Sequence, residues 1–186
     1  MVKMKSKTVV ELNWLNDVQI STSIFEKLKT YQNVTFINSD VIETFMKRPT
    51  AKTLRNVANI SNDWDLLIIL INNENHWSFA VYYKRLSGII IKDFIHYDSK
   101  ITTTTSYNHN YFEKIVYNLI DQKIVDDCRI SLTTHWVSQI GNWECGYCSH
   151  YGIIKTIRRK PRLLIAKKNF KNNVSAFIIR KYYRYF

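Results

Sequence analysis

The feature that most constrains the fold is an uninterrupted apolar run at residues 65–71, which reads DLLIILI. Leucine and isoleucine at every position after the aspartate are typical of a β-strand that is covered on both faces. The run is far too short to cross a bilayer as a helix. Residues 76–83 and 89–96 follow as two further strand patterns, separated by a turn at Ser87-Gly88. The sequence therefore predicts a three-stranded sheet core over residues 65–97.

Helical patterns and two more strand patterns surround this core. Apolar residues at helical spacing predict the helices, and short apolar or alternating stretches predict the strands. The predicted helices cover residues 17–31, 39–46, 50–58, 111–120, 145–157 and 174–185, and the further strands cover residues 34–37 and 129–137. This order favours an α+β fold class, with a central mixed sheet flanked by helices. A length of 186 residues indicates a single domain over residues 1–186.

Positive charge is concentrated towards the C-terminal end of the chain. There are 27 Lys and Arg against 15 Asp and Glu, a formal net charge of +12. No acidic residue follows Glu144, whereas residues 155–184 contain eleven Lys and Arg, so the first 154 residues carry a net charge of only +1. The basic segment, residues 155–186, contains the cluster RRKPR at residues 158–162, which has two interpretations. One is a solvated helix face. The other is a binding site for nucleic acid, for another acidic partner or for the nuclear import machinery.

The cysteine count and the N-terminal residues bear on the compartment. Three cysteines, an odd number, are typical of unbridged thiols in a reducing environment. Residues 1–10 are lysine-rich and lack the apolar region of a secretory signal. We expect an intracellular monomer of the cytoplasm, the nucleus or both, with no membrane span. A secreted effector and a viral origin are also compatible with the sequence.

Five residues suggest nucleophilic cysteine chemistry. Cys145 begins a predicted helix, and a helix N-terminus lowers the pKa of a thiol from about 8.5. Gly146 would let a substrate backbone approach closely, and Gln139 lies six positions before the cysteine, where its amide could donate to an oxyanion. His76 opens one predicted strand and Asp98 closes the next, so both can meet at one end of the sheet. Together these residues predict a Cys–His–Asp triad with an oxyanion donor.

The same residues lie in four short motifs whose order is informative. The motifs are Trp14-Leu15-Asn16-Asp17, His76-Trp77-Ser78, Tyr97-Asp98-Ser99, and Gln139 followed by Cys145-Gly146. On these motifs, from about residue 11 to about residue 157, the sequence resembles the ubiquitin-like-protein proteases, also called the Ulp or sentrin-specific protease family. The resemblance implies a papain-like cysteine protease fold. Only thirteen residues precede Trp14, so the chain is more similar to the compact deneddylase-like branch than to the larger desumoylases.

The resemblance also implies roles for four residues. Cys145 would be the nucleophile, His76 the general base, Asp98 the residue that orients the base, and Gln139 part of the oxyanion hole. The implied reaction is cleavage after the C-terminal Gly-Gly of a ubiquitin-like modifier (NEDD8, SUMO or ubiquitin) through a thioester intermediate. The modifier is therefore the expected partner, and no metal or organic cofactor is expected.

Three further residues are implied to bind the tail of the modifier. Trp14 and Trp77 would form a narrow tunnel for the extended Gly-Gly tail, and Asp17 would help to fix that tail. Two aromatic walls admit only residues without side chains, so selectivity for Gly-Gly follows from steric exclusion.

The sequence departs from the family pattern at three points. Glu144 replaces the usual Asp before the cysteine. Gly141 occupies the position of the usual Asn, and Asn142 comes one position later. The separation between the histidine and the aspartate is also somewhat long. The first two departures fall in the loop that would present the oxyanion hole.

A second interpretation of Cys145 follows from its neighbour Cys148, because the two form a CxxC pair. Such pairs also occur in redox and zinc sites. Cys128, His135 and His150 do not supply the regular spacing of a second ligand pair, so the triad interpretation is preferred. Cys148 and Cys128 are then interpreted as small buried apolar residues.

Two functional alternatives are kept beside the modifier protease. One is a viral maturation protease of the same clan, which would cut polyproteins at Gly-Gly or Gly-x sites and could use nucleic acid as a partner of the basic segment. The other is an inactive relative that binds a modifier without cutting it. No role is assigned to His96 or His109.

Overall fold

The computed structural model describes residues 14–31, 33–58, 64–86, 89–100, 108–133, 139 and 144–159. Five helices and five strands lie in these ranges. In chain order they are α1 (Asp17–Leu28), β1 (Val34–Ile37), α2 (Ser39–Lys47), α3 (Ala51–Ala58), β2 (Leu66–Asn73), β3 (His76–Leu86), β4 (Ile89–Tyr97), α4 (His109–Asp121), β5 (Arg129–Thr133) and α5 (Cys145–Arg159). The predicted α+β fold class is confirmed.

The described strands form one mixed sheet in the order β1-β2-β3-β4-β5. The three predicted core strands are its centre, where β3 runs antiparallel to both β2 and β4. The two outer strands, β1 and β5, pair in parallel with β2 and β4. Parallel pairing needs a connection that crosses over the sheet, and the helices α2, α3 and α4 lie in these connections.

The run at residues 66–71 is buried on both faces, as its sequence predicts, because it contributes to two separate cores. Each of its six side chains is at most 1% exposed. Leu66, Ile68 and Leu70 pack with α1 and α5, whereas Leu67, Ile69 and Ile71 pack with α2, α3 and α4. Successive side chains of a strand point to opposite faces, so one uninterrupted apolar run supplies both layers.

A tight turn between β2 and β3 determines where the histidine of β3 lies. Glu74 and Asn75 have φ angles of 49° and 62°, and the flanking residues Asn73 and His76 are paired across the ladder. Two successive left-handed residues are the geometry of a two-residue hairpin turn that matches the twist of the strands. His76 is therefore the first residue of β3, at the end of the sheet.

Several element boundaries differ from those predicted. Helix α1 ends at Leu28 rather than at residue 31, because the chain closes in a turn in which Tyr31 N donates to Leu28 O. Strand β5 is described to Thr133, and residues 134–137 of the predicted strand lie outside the described residues. The Ser87-Gly88 turn and the predicted helix at residues 174–185 also lie outside them. No helix in the described ranges is long and apolar enough to cross a membrane.

Candidate active site

His76 and Asp98 meet at one end of the sheet. His76 begins β3, Asp98 directly follows β4, and the two strands are antiparallel neighbours. The Nε2 atom of His76 lies 2.6 Å from Oδ1 of Asp98. Both side chains are buried, with 5% of His76 and none of Asp98 exposed. A charge-assisted hydrogen bond of this length in a buried place holds the imidazole ring in one orientation.

Two backbone groups also donate to the Asp98 carboxylate. Lys100 N donates to Oδ1 at 2.8 Å, and Asn108 N donates to Oδ2 at 3.3 Å. An ionised carboxylate only accepts hydrogen bonds, so three donors directed at Asp98 favour its charged form. The carboxylate is therefore positioned from two segments of backbone, one directly after it and one at the start of α4.

The pKa of His76 is set by opposing effects. Burial lowers it, but the hydrogen bonds to Asp98 and to Cys145, together with their charges, raise it to about 9 from the usual 6.5. Because Nε2 is bonded to Asp98, the other ring nitrogen, Nδ1, is the one that remains for Cys145. The arrangement favours an imidazolium at neutral pH that faces the sulfur atom, which stabilises a thiolate.

Cys145 is the first residue of α5 and is fully buried in the core between α1, α5 and the sheet. The sulfur thus lies at the N-terminus of a helix and is hydrogen-bonded to His76. The other thiols have a different character. Burial raises the pKa of Cys148 to about 12, with the Glu144 charge adding to the shift, and burial raises that of Cys128 to about 11. These two cysteines are protonated at neutral pH; Cys148 is buried and Cys128 half-buried.

Gln139 lies beside the His76–Asp98 pair through its contacts with Ser99. Its backbone N donates to Ser99 O at 3.1 Å, and Ser99 Oγ donates to Gln139 Oε1 at 2.8 Å. Ser99 directly follows Asp98 in the chain, so the glutamine is tied to the same loop as the carboxylate. With Oε1 bonded to Ser99, the donors of the amide lie on Nε2, and donors are what an oxyanion requires.

A cavity of about 520 Å³ lies beside these residues. Its lining includes the whole first motif and the tryptophan next to His76. The lining residues are Trp14, Leu15, Asn16, Asp17, Ser39, Asp40, Asn72, Asn75 and Trp77. Trp77 is buried at 5% exposure, whereas Trp14 is 54% exposed, so one aromatic side chain is fixed and the other faces solvent. The structure thus brings both tryptophans and Asp17 to one cleft.

The Asp17 carboxylate is bonded to groups within the chain. Ser39 donates to Oδ1 through its backbone N at 3.3 Å and through its hydroxyl at 2.5 Å. Asn38 Nδ2 and Ser21 Oγ donate to Oδ2 at 3.4 and 3.3 Å. These bonds join the N-terminal turns of α1 and α2. Asp17 therefore stabilises the wall of the cleft, whatever it contributes to a bound tail.

Close packing explains why residue 146 is a glycine, which the sequence alone does not reveal. A Cβ atom there would lie 3.2 Å from Leu15 Cβ and 3.3 Å from Trp77 Cδ1. The first turn of α5 thus packs directly against the Trp14–Asp17 segment and the buried tryptophan. The glycine lets these parts of the protein approach each other, which differs from the predicted approach of a substrate backbone.

Asn108, Ser78 and His96 are buried polar residues of the site that sequence reasoning did not assign. All three are at 0% exposure, and they are joined by hydrogen bonds next to His76. An Asn before a helical pattern is ordinarily interpreted as a cap, and nothing in the sequence around Asn108 points to the active site. Its position follows from the tertiary packing of α4 against the sheet.

Some predicted features lie outside the described residues, namely Gly141, Asn142 and His135. Glu144 is described and buried, and its carbonyl accepts a hydrogen bond from Cys148 N within α5. His150 bonds through Nε2 to Ser23 Oγ at 2.9 Å, and burial lowers its pKa to about 4. Among the described residues, no group of three or more His, Cys, Asp or Glu is arranged to hold a metal ion.

Comparison with known proteins shows a likeness in structure and not in sequence. No protein-family model matches the sequence, and no curated protein matches it. Among solved structures, SUMO protease Ulp1 with its catalytic cysteine oxidised to a sulfinic acid has a TM-score of 0.67 at 16% identity, over 83% of this chain and 71% of that one. The Chaetomium thermophilum Ulp1-like SUMO protease catalytic domain has a TM-score of 0.60 at 20% identity, over 89% of this chain and 67% of that one. The Xanthomonas campestris effector XopD, bound to ubiquitin, has a TM-score of 0.59 at 19% identity, over 91% of this chain and 89% of that one.

These likenesses confirm the fold implied by the sequence motifs. The chain has the Ulp-type papain-like fold, with a central mixed sheet flanked by helices. At identities of 16 to 20% the likeness carries the fold alone. What the protein does has to be argued from its own site.

Proposed function

We propose that the protein is a Ulp-type cysteine protease that cleaves after the C-terminal Gly-Gly of a ubiquitin-like modifier. The observation that carries this proposal is the buried His76–Asp98 pair, which is hydrogen-bonded to a cysteine at the N-terminus of α5. Similar folds support the class of substrate: XopD was solved bound to ubiquitin, and the C-terminal Ulp1 protease domain in complex with Smt3, the yeast orthologue of SUMO.

In the first step of the proposed reaction, the Cys145 thiolate attacks the carbonyl carbon of the terminal glycine. Negative charge develops on the carbonyl oxygen, where Gln139 Nε2 and the Cys145 backbone N–H would stabilise it. His76, as the imidazolium, then gives its proton to the leaving amine, which is either a lysine side chain or a peptide N-terminus. The C–N bond breaks and a thioester to Cys145 is left.

In the second step, His76 is neutral and accepts a proton from water. The resulting nucleophile attacks the thioester, and the thiolate leaves as the modifier is released with a free carboxylate. Asp98 stays ionised throughout, because its role is to hold the ring and to stabilise the imidazolium. None of these steps calls for a metal or an organic cofactor.

The cleft beside the triad supplies the proposed selectivity for glycine. Trp77, fixed in the core, and the more exposed Trp14 would close over an extended tail that lacks side chains. Asp17 would act in this site by keeping the Trp14 segment in place and by contributing to tail binding. The same cleft could accept the tails of NEDD8, SUMO or ubiquitin.

A panel of modifier probes tests the proposal. Ubiquitin, NEDD8 and SUMO that bear a cysteine-reactive group at the C-terminus would be incubated with the protein and with two variants. We expect labelling by at least one probe, its loss in Cys145→Ala, and its retention in the matched control Cys148→Ala. Labelling that survives in Cys145→Ala and disappears in Cys148→Ala would show that the nucleophile is wrong. Binding of a modifier without any labelling would favour the binding-module alternative.

The basic segment is proposed to contact an acidic partner such as nucleic acid. Its cationic composition and its lack of acidic residues after Glu144 support this, and within α5 the Lys155 ammonium lies 5.5 Å from the centre of the Tyr151 ring. Reversing the charges of Arg158, Arg159 and Lys160 should weaken nucleic-acid binding and make it less dependent on salt. Unchanged binding and unchanged cellular localisation would leave the segment as a solvated surface.

A further inference from the structure

Asn108 occupies the N-cap position of α4 but does not act as a cap. The residues before α1 and α2 are also asparagines, and both cap: Asn16 Oδ1 accepts from Gln19 N at 2.9 Å, and Asn38 Oδ1 accepts from Val41 N at 3.1 Å. In the described first turn of α4, the side chain of Asn108 makes no capping hydrogen bond. A residue that forgoes the usual stabilisation of a helix start has its side chain engaged elsewhere.

The side chain of Asn108 is engaged with the first residues of β3. Nδ2 lies 3.0 Å from the carbonyl oxygen of His76 and 3.0 Å from Ser78 Oγ. The pairing of β3 with β4 begins at Phe79 and Tyr97, so His76 and Ser78 lie beyond the end of β4. There the Asn108 amide donates to the backbone of β3 in place of a neighbouring strand. Since a carbonyl oxygen only accepts, the orientation of the amide is determined.

The backbone of Asn108 contacts Asp98, the hydrogen-bond partner of the His76 ring. Its N–H donates to Asp98 Oδ2 at 3.3 Å, while Asp98 Oδ1 accepts from His76 Nε2. One buried residue thus holds the main chain of His76 and the carboxylate that orients its ring. Any movement of Asn108 would change the distance or the angle of the His76–Asp98 bond.

A chain of hydrogen bonds continues from Asn108 through Ser78 to His96, and its direction can be deduced. Among the described residues, the groups bonded to Ser78 Oγ are Asn108 Nδ2 and His96 Nε2, each at 3.0 Å. The amide nitrogen only donates, and a hydroxyl that accepted from both nitrogens would leave its own buried proton without an acceptor among these groups. The Ser78 hydroxyl therefore donates to His96 Nε2. This requires a neutral His96, and burial lowers its pKa to about 3. His96 Nε2 is therefore an acceptor, and its proton is on Nδ1.

The chain ends at the surface on α4. His96 Nδ1 lies 3.3 Å from Nδ1 of His109, which accepts in turn, so the proton of a neutral His109 is on Nε2. That atom lies 3.6 Å from Glu113 Oε1, whose side chain is 40% exposed. In the bonds from Ser78 to His96 and from His96 to His109 the donor is the residue nearer the triad, and hydrogen bonds aligned in one direction strengthen one another.

We propose that Asn108 is a positioning residue for His76 and Asp98, held in place by the chain through Ser78, His96 and His109. Its importance for catalysis rests on the proposed function, but its effect on the Cys145–His76 pair does not. Asp98 and Cys145 raise the pKa of His76, and on the far side of Ser78 lies the neutral His96, whose own pKa is lowered in part by the charge of His76. Loss of Asn108 should therefore be detected at the Cys145 thiol itself.

The test is the pH profile of Cys145 alkylation by iodoacetamide, read by mass spectrometry that separates Cys145 from Cys148. In the unmodified protein, where the His76 imidazolium faces the sulfur atom, Cys145 should be alkylated measurably at pH 6.5. In Asn108→Ala the rate at pH 6.5 should fall at least tenfold while the rate at pH 10 changes little, since an ordinary thiol with a pKa of about 8.5 is only about 1% ionised at pH 6.5. Asn110→Ala, an exposed asparagine two positions later, is the matched control and should match the unmodified protein.

The outcomes separate this inference from the proposed function. A low-pH rate that is the same in Asn108→Ala as in the unmodified protein would overturn the positioning role and leave the protease proposal intact. A tenfold loss in a protein that cleaves no modifier would support the positioning role and reject the protease. An ordinary thiol profile in the unmodified protein would overturn both. On a cleaved modifier, Asn108→Ala should lower kcat with little change in KM.

Two measurements keep the inference testable if Asn108→Ala does not fold. Asn108→Ser retains a small polar side chain at the helix start and should show the same low-pH loss. In the unmodified protein, long-range ¹H–¹⁵N spectra distinguish the two neutral tautomers of histidine. His96 should be the Nδ1–H tautomer between pH 5 and 8; the Nε2–H tautomer would contradict the deduced direction of the chain and the anchoring role proposed for it.

Discussion

The protein contains two polar networks of similar composition, and they differ in burial. The cleft network consists of Asp17, Ser21, Asn38 and Ser39, and joins the starts of α1 and α2. The active-site network consists of His76, Ser78, His96, Asp98 and Asn108, and joins the ends of β3 and β4 to the start of α4. Each is built around an aspartate that accepts several hydrogen bonds, and each includes an asparagine at a helix N-cap.

The difference shows how burial decides what the same residue types do. Asp17 is half-buried, so water could replace the hydrogen bonds of its carboxylate, and those bonds mainly add stability. Asp98 is fully buried, where an unpaired charge would be costly, so its partners have to remain in place. Asn38 caps its helix, whereas Asn108 forgoes the cap to hold His76. We infer that the cleft network serves stability and that the active-site network serves orientation.

The largest expected effect is that of Asp98→Asn on catalysis. The shape of the side chain is kept, but the charge that raises the pKa of His76 is lost, while burial still lowers it. The pKa of His76 should fall from about 9, and kcat should decrease about 10³-fold or more. Histidine titration by NMR and steady-state kinetics on the cleaved modifier measure the two effects. A pKa that stays near 9 would show that Asp98 is not its main support.

The stability of the folded protein should depend on pH, because three buried histidines have shifted pKa values. The folded pKa of His76 is above its unfolded value, so its stabilisation is complete below pH 6.5 and is lost as the pH rises through 9. His96 and His150 have folded pKa values of about 3 and 4, below their unfolded value, so their contribution is present above pH 6.5 and is lost as the pH falls. The free energy of unfolding, measured by urea denaturation, should therefore be highest near pH 6.5 and should fall towards pH 9 and towards pH 4. His96→Gln should reduce the decrease on the acid side; an unchanged acid side would show that His96 is charged in the folded protein.

Asp17→Ala should lower the stability of the cleft network by about 2 kcal/mol, because it removes hydrogen bonds to a charged but half-exposed group. The fold should persist, and KM for the modifier should rise because the Trp14 segment is no longer held. Urea denaturation gives the first quantity and steady-state kinetics the second. A fall in kcat as large as that in Asp98→Asn would show that the cleft network also orients catalytic groups, which contradicts the separate roles inferred for the two networks.

Asn38→Ala has the smallest expected effect and is the most direct comparison with Asn108→Ala. Loss of a helix cap should cost about 1 kcal/mol of unfolding free energy. We expect kcat to stay within about twofold, because Asn38 has no contact with His76 or Asp98 among its described hydrogen bonds. Asn108→Ala should show the reverse pattern, with a larger loss of kcat for a similar loss of stability. Similar kinetics in the two variants would remove the distinction between a cap and a positioning residue.

Much of the fold could be predicted from local patterns. The apolar run of β2, the alternation of β3 and the helical spacing of α4 are each determined by periodicity within one element. The boundaries were less accurate, since α1 ends at Leu28 because of a turn and α4 begins at His109, two residues before its first apolar pair. A boundary depends on capping and turn contacts, which periodicity does not contain.

The sequence by itself determined the layered sheet, the two cores and the approach of His76 to Asp98, because strand periodicity and antiparallel order place those residues at one end of the sheet. Only the tertiary structure decided that Asn108 faces the active site, that Asp17 joins two helices and that Gly146 packs against Leu15 and Trp77. The physical reason is that a polar side chain bonds to whatever group the fold brings within about 3 Å. Asn38 and Asn108 are both asparagines at the N-cap position of a helix. Their hydrogen bonds differ because the end of β3 lies beside the start of α4 and nothing equivalent lies beside the start of α2 among the described contacts of Asn38.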